Sequence, residues 1–171
     1  LRLLTPNLYV SSIYDIDIEH LQLMGVRAIV TDLDNTLVGW NEPAATEPLL
    51  LWLADVKDRG MGVCIVSNNQ SGRVESFARP LALPFISAAR KPRRRAFNQA
   101  LATLGCAPQE AAMIGDQLFT DIAGGNRSGL YTILVMPISN LEWIGTRVVR
   151  KFERVMMAYL RSRGLLTREG R

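Results

Sequence analysis

Histidine is almost absent: His20 is the only one in 171 residues. That removes most zinc sites and any histidine-based triad, and its place in the amphipathic stretch Ile16–Met24 marks it as structural. Cysteine is nearly as scarce. Cys64 and Cys106 make neither a metal-ligand spacing nor a disulfide framework. Cys64 falls inside the apolar run Gly62–Val66 and reads as a small core residue, which suits a reduced, cytoplasmic setting. No apolar run approaches the roughly 18 residues needed to cross a bilayer; the longest lie around Leu49–Ala54 and Tyr131–Met136. The opening residues lack the basic-then-apolar layout of a secretion signal. Because the sequence opens on Leu1 rather than methionine, that reading covers only the residues given. Aromatic residues interleaved with basic ones, as on a base-stacking surface, are missing too, so no nucleic-acid partner is expected.

What is present is ordinary in bulk: 48% hydrophobic and 21% charged residues, in a length that predicts one domain over 1–171. The net charge of +4 is unevenly placed. Residues 146–171 hold eight basic side chains against Glu153 and Glu169, an excess of six, so the other residues sum to minus two. A core over about 26–135 therefore carries a basic appendage over about 146–166.

Within the core, strand-like runs alternate with helix-like segments, the pattern of a parallel sheet covered on both faces. Strands are expected at Val26–Thr31, Gly62–Val66, Leu83–Ser87, Ala111–Ile114 and Tyr131–Val135. Helices are expected from Pro43 to Arg59 (Leu49, Leu50, Leu53 and Val56 inward), from Ser71 to about Arg79, and over Ala96–Leu104 after Pro92. A Gly-rich, weakly helical piece precedes the last strand. The fold class is thus α/β, a Rossmann-like three-layer sandwich with about five parallel strands.

Four polar signals fall at the C-terminal ends of predicted strands, the edge where open α/β sheets bind ligands. Asp32-Leu33-Asp34-Asn35-Thr36 places two carboxylates at a turn. Such a pair is costly unless neutralised, and a hard cation such as Mg²⁺, with oxygen ligands, neutralises it. Ser67-Asn68-Asn69 offers a hydroxyl and turn amides to phosphate oxygens. Lys91 would offset charge on a phosphate and on a nucleophile. Gly115-Asp116-Gln117-Leu118-Phe119-Thr120-Asp121 adds further carboxylates. Singly, each reads more blandly: a solvated turn, a helix cap, a surface lysine. Their joint order is what carries meaning.

In that order these motifs resemble the haloacid dehalogenase (HAD) superfamily, over roughly Val26 to Val135. The resemblance implies an Mg²⁺-dependent phosphatase. Asp32 would be the nucleophile that forms an aspartyl-phosphate, and Asp34 the general acid and then base. Thr36 would support the Asp34 loop. Ser67, Asn68 and Thr36 would serve substrate binding, and Lys91 both catalysis and substrate binding. Asp32, Asp34 (by its carbonyl), Asp116 and Asp121 would serve the metal. Little chain separates Asp34 from the Pro43 helix or Ser67 from Lys91, so no cap domain is expected, as in subclass IIIA. An open site suits a phosphate displayed on something large, and a partner subunit in an oligomer could act as a lid.

Asp32–Trp40, Val66–Asn69, Gly115–Asp121, Gly124–Arg127 and Tyr131–Val135 are most similar to the YqeG branch, and similar also to phosphatidylglycerophosphate phosphatases. That likeness implies phosphatidylglycerophosphate as substrate and phospholipid biosynthesis as setting. The appendage carries an apolar stripe of Val148, Phe152, Val155 and Tyr159 among Arg147, Arg150, Lys151, Arg154 and Arg161. It reads either as a basic amphipathic helix lying on an anionic membrane's inner face or as a last helix packed on the sheet. The alternatives in function are the same chemistry on another phosphorylated macromolecule or metabolite, and a non-catalytic binding or assembly factor.

Overall fold

A computed structural model describes residues 1–40, 42–139 and 144–166, with backbone alone for 144–150. The sheet contains β1 (Leu8–Val10), β2 (Ala28–Thr31), β3 (Gly62–Val66), β4 (Phe85–Ile86), β5 (Ala111–Gly115) and β6 (Tyr131–Val135). Its order is β1-β6-β5-β2-β3-β4, and every pairing is parallel. The sheet therefore has six strands rather than about five. The additional one, β1, is three residues long and pairs at the far edge, Leu8 opposite Ile133 and Val10 opposite Val135.

Every residue of β2 and β5 is buried, as central strands covered on both faces must be. Alternation sorts their side chains. Ile29, Val63, Ile65, Ala112 and Ile114 face one core with Leu49, Val56, Val74 and Phe77. Ala28, Val30, Cys64, Val66 and Met113 face the other, with Phe97, Ala100 and Leu101. The first layer is supplied by α1 (Ile18–Leu23), α2 (Glu47–Asp58) and α3 (Ser71–Ala78). The second is supplied by α4 (Arg94–Leu104), with α5 (Ala123–Ser128) packed beside it. On α2, Leu49, Trp52 and Val56 turn inward while Leu50 is exposed, a rotation of the expected face. Pro92 lies in a cis peptide ahead of α4, not at its first residue. Gly105, at φ +64°, ends α4 in the left-handed region.

The last helix, α6 (Ile144–Ser162), packs on the sheet edge by one side and leaves the other exposed. Leu160 packs with Tyr9, Leu118, Ile122, Leu134 and Leu166, against the β1–β6 edge. Glu153 is buried and accepts a hydrogen bond from the Phe119 amide at 3.2 Å. Phe152 (65% exposed), Val155 (70%) and Tyr159 (38%) of the stripe face outward, so the helix meets the core through Leu160, beside the stripe, and both readings of the segment keep a part in it. Val148, Val149, Arg147 and Arg150 of that segment have side chains outside the described residues. No described helix is long and apolar enough to cross a membrane. Among the described residues no domain is inserted between Asp34 and α2, or between Ser67 and Lys91.

Candidate active site

The four sequence signals meet at one edge of the sheet. Asp32 follows β2, Ser67 follows β3, Asp116 follows β5, and Lys91 stands in the loop after β4. The chain turns β2→β3 to one side and continues through β5 and β6 on the other, so Asp32 lies where the strand order reverses.

Lys91 occupies the centre. Its side chain is only 2% exposed, with Nζ 2.8 Å from Asp32 Oδ1 and 2.7 Å from Asp121 Oδ1. Burial alone would loosen its proton, but the carboxylates of Asp121 and Asp32 outweigh burial and hold the ammonium charged. Asp121 is fully buried. Its carboxyl is raised to about 6: burial pushes it up most, Lys91 pulls it back, and Asp32 pushes it up again. Its Oδ2 accepts a hydrogen bond from the Gln117 amide at 3.1 Å. Its Oδ1 has no aligned hydrogen-bond partner, so the Lys91 contact is held by charge.

Local folding explains the approach of Asp121. Leu118–Ile122 forms a π-helical turn, in which the Ile122 amide bonds the Gln117 carbonyl five residues back. This wider turn brings Asp121 back over Gly115, where any Cβ would strike its carboxyl group. Asp32, Asp116 and Asp121 thus offer carboxylate oxygens that all lie within 4.8 Å of one another, each residue buried. Three buried carboxylates gather around the one ammonium of Lys91. That donor set and charge fit a divalent, oxygen-preferring cation.

The remaining signals take structural parts in the same cluster. The Thr36 hydroxyl donates to Asp116 Oδ1 at 3.4 Å, so it bears on the third carboxylate besides shaping its own loop. Asn68 grips the backbone of Lys91 from both sides, accepting from its amide at 2.7 Å and donating to its carbonyl at 3.4 Å. The buried Ser67 hydroxyl accepts from the Asn69 amide at 3.1 Å.

Asp34 points away from the carboxylate cluster. Asn69 Nδ2 donates to its Oδ2 at 3.0 Å, and Arg73 donates to its Oδ1 from NH2 at 3.0 Å and Nε at 3.3 Å. Arg73 also reaches the Gly39 carbonyl at 3.5 Å. Asn69 is legible in the sequence only as part of the Ser67-Asn68-Asn69 turn, and Arg73 is not among the candidates. Arg73 lies one turn into α3, three residues beyond the cap, a place where an arginine ordinarily faces solvent. The turn carrying Asp34 is closed by Asn35, at φ +62°, whose amide bonds the Val38 carbonyl at 2.6 Å.

Comparison with known proteins adds to this geometry. A family described as HAD-hydrolase-like matches residues 88–137. A Bacillus subtilis protein named Probable phosphatase YqeG is 44% identical over 159 residues, covering 93% of this chain and 92% of that protein. The Arabidopsis thaliana phosphatidylglycerophosphate phosphatase 1, chloroplastic/mitochondrial, is 27% identical over 165 residues; the match spans 91% of this chain and 47% of that protein. Among solved structures, a HAD superfamily (subfamily III A) hydrolase from Legionella pneumophila superposes at a TM-score of 0.54. It has 19% identity, and the overlap covers 71% of this chain and 70% of that one. The cobalt-bound deoxy-D-mannose-octulosonate 8-phosphate phosphatase of Haemophilus influenzae also reaches a TM-score of 0.54, at 16% identity over 66% and 69% of the two chains. At these identities the structural likenesses speak to the fold.

Proposed function

This chain belongs to the HAD superfamily of phosphatases, in the capless branch that contains YqeG; we propose that it is a phosphomonoesterase acting through an aspartyl-phosphate on Asp32, with a membrane phospholipid as substrate. The observation that supports the mechanism is the buried Lys91, shared between Asp32 and Asp121 beside Asp116.

In this reading an Asp32 carboxylate oxygen attacks phosphorus. The bond from phosphorus to the ester oxygen breaks, and the leaving alkoxide takes a proton from Asp34. Water then attacks the phosphoryl group, Asp34 takes the water's proton, and inorganic phosphate departs with Asp32 regenerated. Splitting the hydrolysis this way replaces one hard step by two easier ones. Asp34 must be free to turn from Arg73 toward the leaving oxygen, and Asn69 and Arg73 define the position from which it does so. Lys91 pairs with the nucleophile and balances charge gathering on the phosphoryl oxygens. The Ser67 hydroxyl donates a hydrogen bond to a phosphoryl oxygen. Asp32, Asp116 and Asp121, with the carbonyl of Asp34, would hold Mg²⁺. The ion would supply further charge neutralisation for the phosphoryl oxygens.

The lipid substrate, phosphatidylglycerophosphate, is favoured by three observations. The plant relative bears that name. No cap covers the site among the described residues, so a headgroup standing on a surface can reach it. The exposed basic helix α6 offers peripheral contact at the inner face of a cytoplasmic membrane. The test is Mg²⁺-dependent phosphate release from phosphatidylglycerophosphate in mixed micelles, compared with soluble phosphomonoesters and with Asp32→Asn. Preference for the lipid, abolished in the variant, is expected. Activity on soluble esters alone would keep the chemistry and discard the lipid.

A further inference from the structure

Apolar side chains next to the Asp34 loop and just after β6 stay partly exposed. Trp40, two residues past the Asp34–Val38 bridge, is 39% exposed. Met136 and Ile138, directly after β6, are 42% and 53% exposed. They belong to the same rim as the catalytic loop. The Ile138 amide bonds the Asn35 carbonyl at 3.1 Å, and the Ser139 hydroxyl bonds Asn35 Oδ1 at 2.8 Å. Trp40 follows Gly39, whose carbonyl Arg73 holds. Large apolar side chains gathered at a functional opening mark an interaction surface.

The same edge carries unpaired positive charge. Arg90, Arg93 and Arg94 are all exposed, and none forms an ion pair among the described residues. Arg90 directly precedes Lys91, and α4 starts at Arg94, so the arginines stand at the end of the sheet where Asp32 and Asp116 lie. Apolar side chains and arginines around one opening complement an interface with hydrocarbon below and phosphate above. They do not complement an acidic protein surface equally well, because Trp40, Met136 and Ile138 would stay wet.

We propose that this rim is a docking surface for an anionic lipid bilayer, with Trp40, Met136 and Ile138 entering the interfacial layer and Arg90, Arg93 and Arg94 meeting lipid phosphates. The proposal rests on the lipid-phosphatase reading for its purpose, and it is distinct from contact through α6. Docked on its rim, the cleft opens onto the headgroup layer, and a phosphomonoester projecting from the bilayer enters without leaving the membrane.

Flotation with vesicles of phosphatidylglycerol and phosphatidylcholine, containing no substrate, tests the docking apart from catalysis. The intact protein is expected to float with the anionic vesicles and not with phosphatidylcholine alone. Trp40→Ser with Ile138→Ser should weaken partitioning at least about tenfold. Arg90→Gln with Arg93→Gln should weaken it by a similar factor at low salt and less at high salt. Melting temperatures establish that each variant is folded. A milder pair, Met136→Gln and Ile138→Thr, keeps the test open if the serine pair does not fold. No flotation of the intact protein would overturn the docking and leave micelle hydrolysis to stand or fall separately. Flotation unchanged by the rim pairs but lost with Phe152→Ser and Val155→Ser would also overturn it, in favour of α6. Rim-dependent flotation without lipid hydrolysis would uphold the surface and discard the substrate.

Discussion

Replacing Lys91 with methionine keeps an unbranched stem of similar length and removes the charge. In the folded protein the ammonium has no access to water and touches Asp32 and Asp121 at 2.8 and 2.7 Å. Without it, three buried carboxylates share a small space with no cation. Breaking a buried ion pair from one side costs about 3–5 kcal/mol. For a chain of this length each kcal/mol moves the melting temperature by about 2–4 °C, so a fall on the order of 10 °C is expected at about pH 8 in chelator. The pH dependence has a definite sign. Asp121 keeps its proton up to about 6, against ~3.9 in an unfolded chain. Between those values the folded state binds more protons, so the contribution of this group is full below the unfolded pKa and is lost as pH rises through the folded one. Removing Lys91 pushes Asp121 further up. The deficit of the variant should therefore shrink as pH falls toward about 5, and it should shrink when Mg²⁺ is added. Differential scanning calorimetry of both proteins, at the two pH values with chelator or Mg²⁺, measures all of this. A deficit unchanged by pH and by Mg²⁺ would mean that packing of the lysine stem matters and the charge does not, which would refute the reasoning.

Arg73→Ala frees Asp34 from its charged partner. It should lower turnover of alkyl phosphates by about 10–10² while sparing p-nitrophenyl phosphate, whose leaving group needs little protonation; equal losses on both would exclude a positioning role. Gly115→Ala puts a methyl group into the Asp121 carboxyl. It should cost about 1–3 kcal/mol and weaken thermal stabilisation by Mg²⁺, and an unchanged metal response would contradict the placement of Asp121. Burial pushes the Cys64 thiol up to about 12, whereas Cys106 is half-buried and its thiol is raised less by the same cause. A thiol reagent at about pH 8 should label Cys106 first and Cys64 only on unfolding; two fast thiols would show that the β3 core is open.

The strands and the residues after them were legible because their signals are local. A run such as Val63-Cys64-Ile65-Val66 is apolar on both faces only if both faces are covered, and a polar residue at its end has nowhere to go but the sheet edge. Other features depended on partners distant in sequence. Leu8–Val10 is too short to announce a strand, and its pairing with β6 depends on residues about 125 positions away. The orientation of α6 stayed open in the sequence because the helix has apolar residues on two sides. The choice between them was made by a buried glutamate that finds the Phe119 amide, a partner invisible in the pattern. Arg73 went unnoticed because an arginine early in a helix looks solvated until Asp34 is seen beside it. Thr36 and Asn68 stand out in the motifs, but their contacts with Asp116 and with the Lys91 backbone join residues far apart in sequence and follow only from the fold.

The pairing of β1 with β6 has a consequence for how the chain is made. Asn7 exchanges hydrogen bonds with Thr132, and Tyr9 receives Arg161. A ribosome releases the first of these partners long before the second. Strands β2, β3 and β5, which carry Asp32, Ser67 and Asp116, can assemble while β6 is still being synthesised. Until then Leu8–Val10 waits unpaired, and the open side of the nascent sheet is a site for wrong partners. During synthesis the β1–β6 pairing can form only after the strands that carry Asp32, Ser67 and Asp116 have emerged.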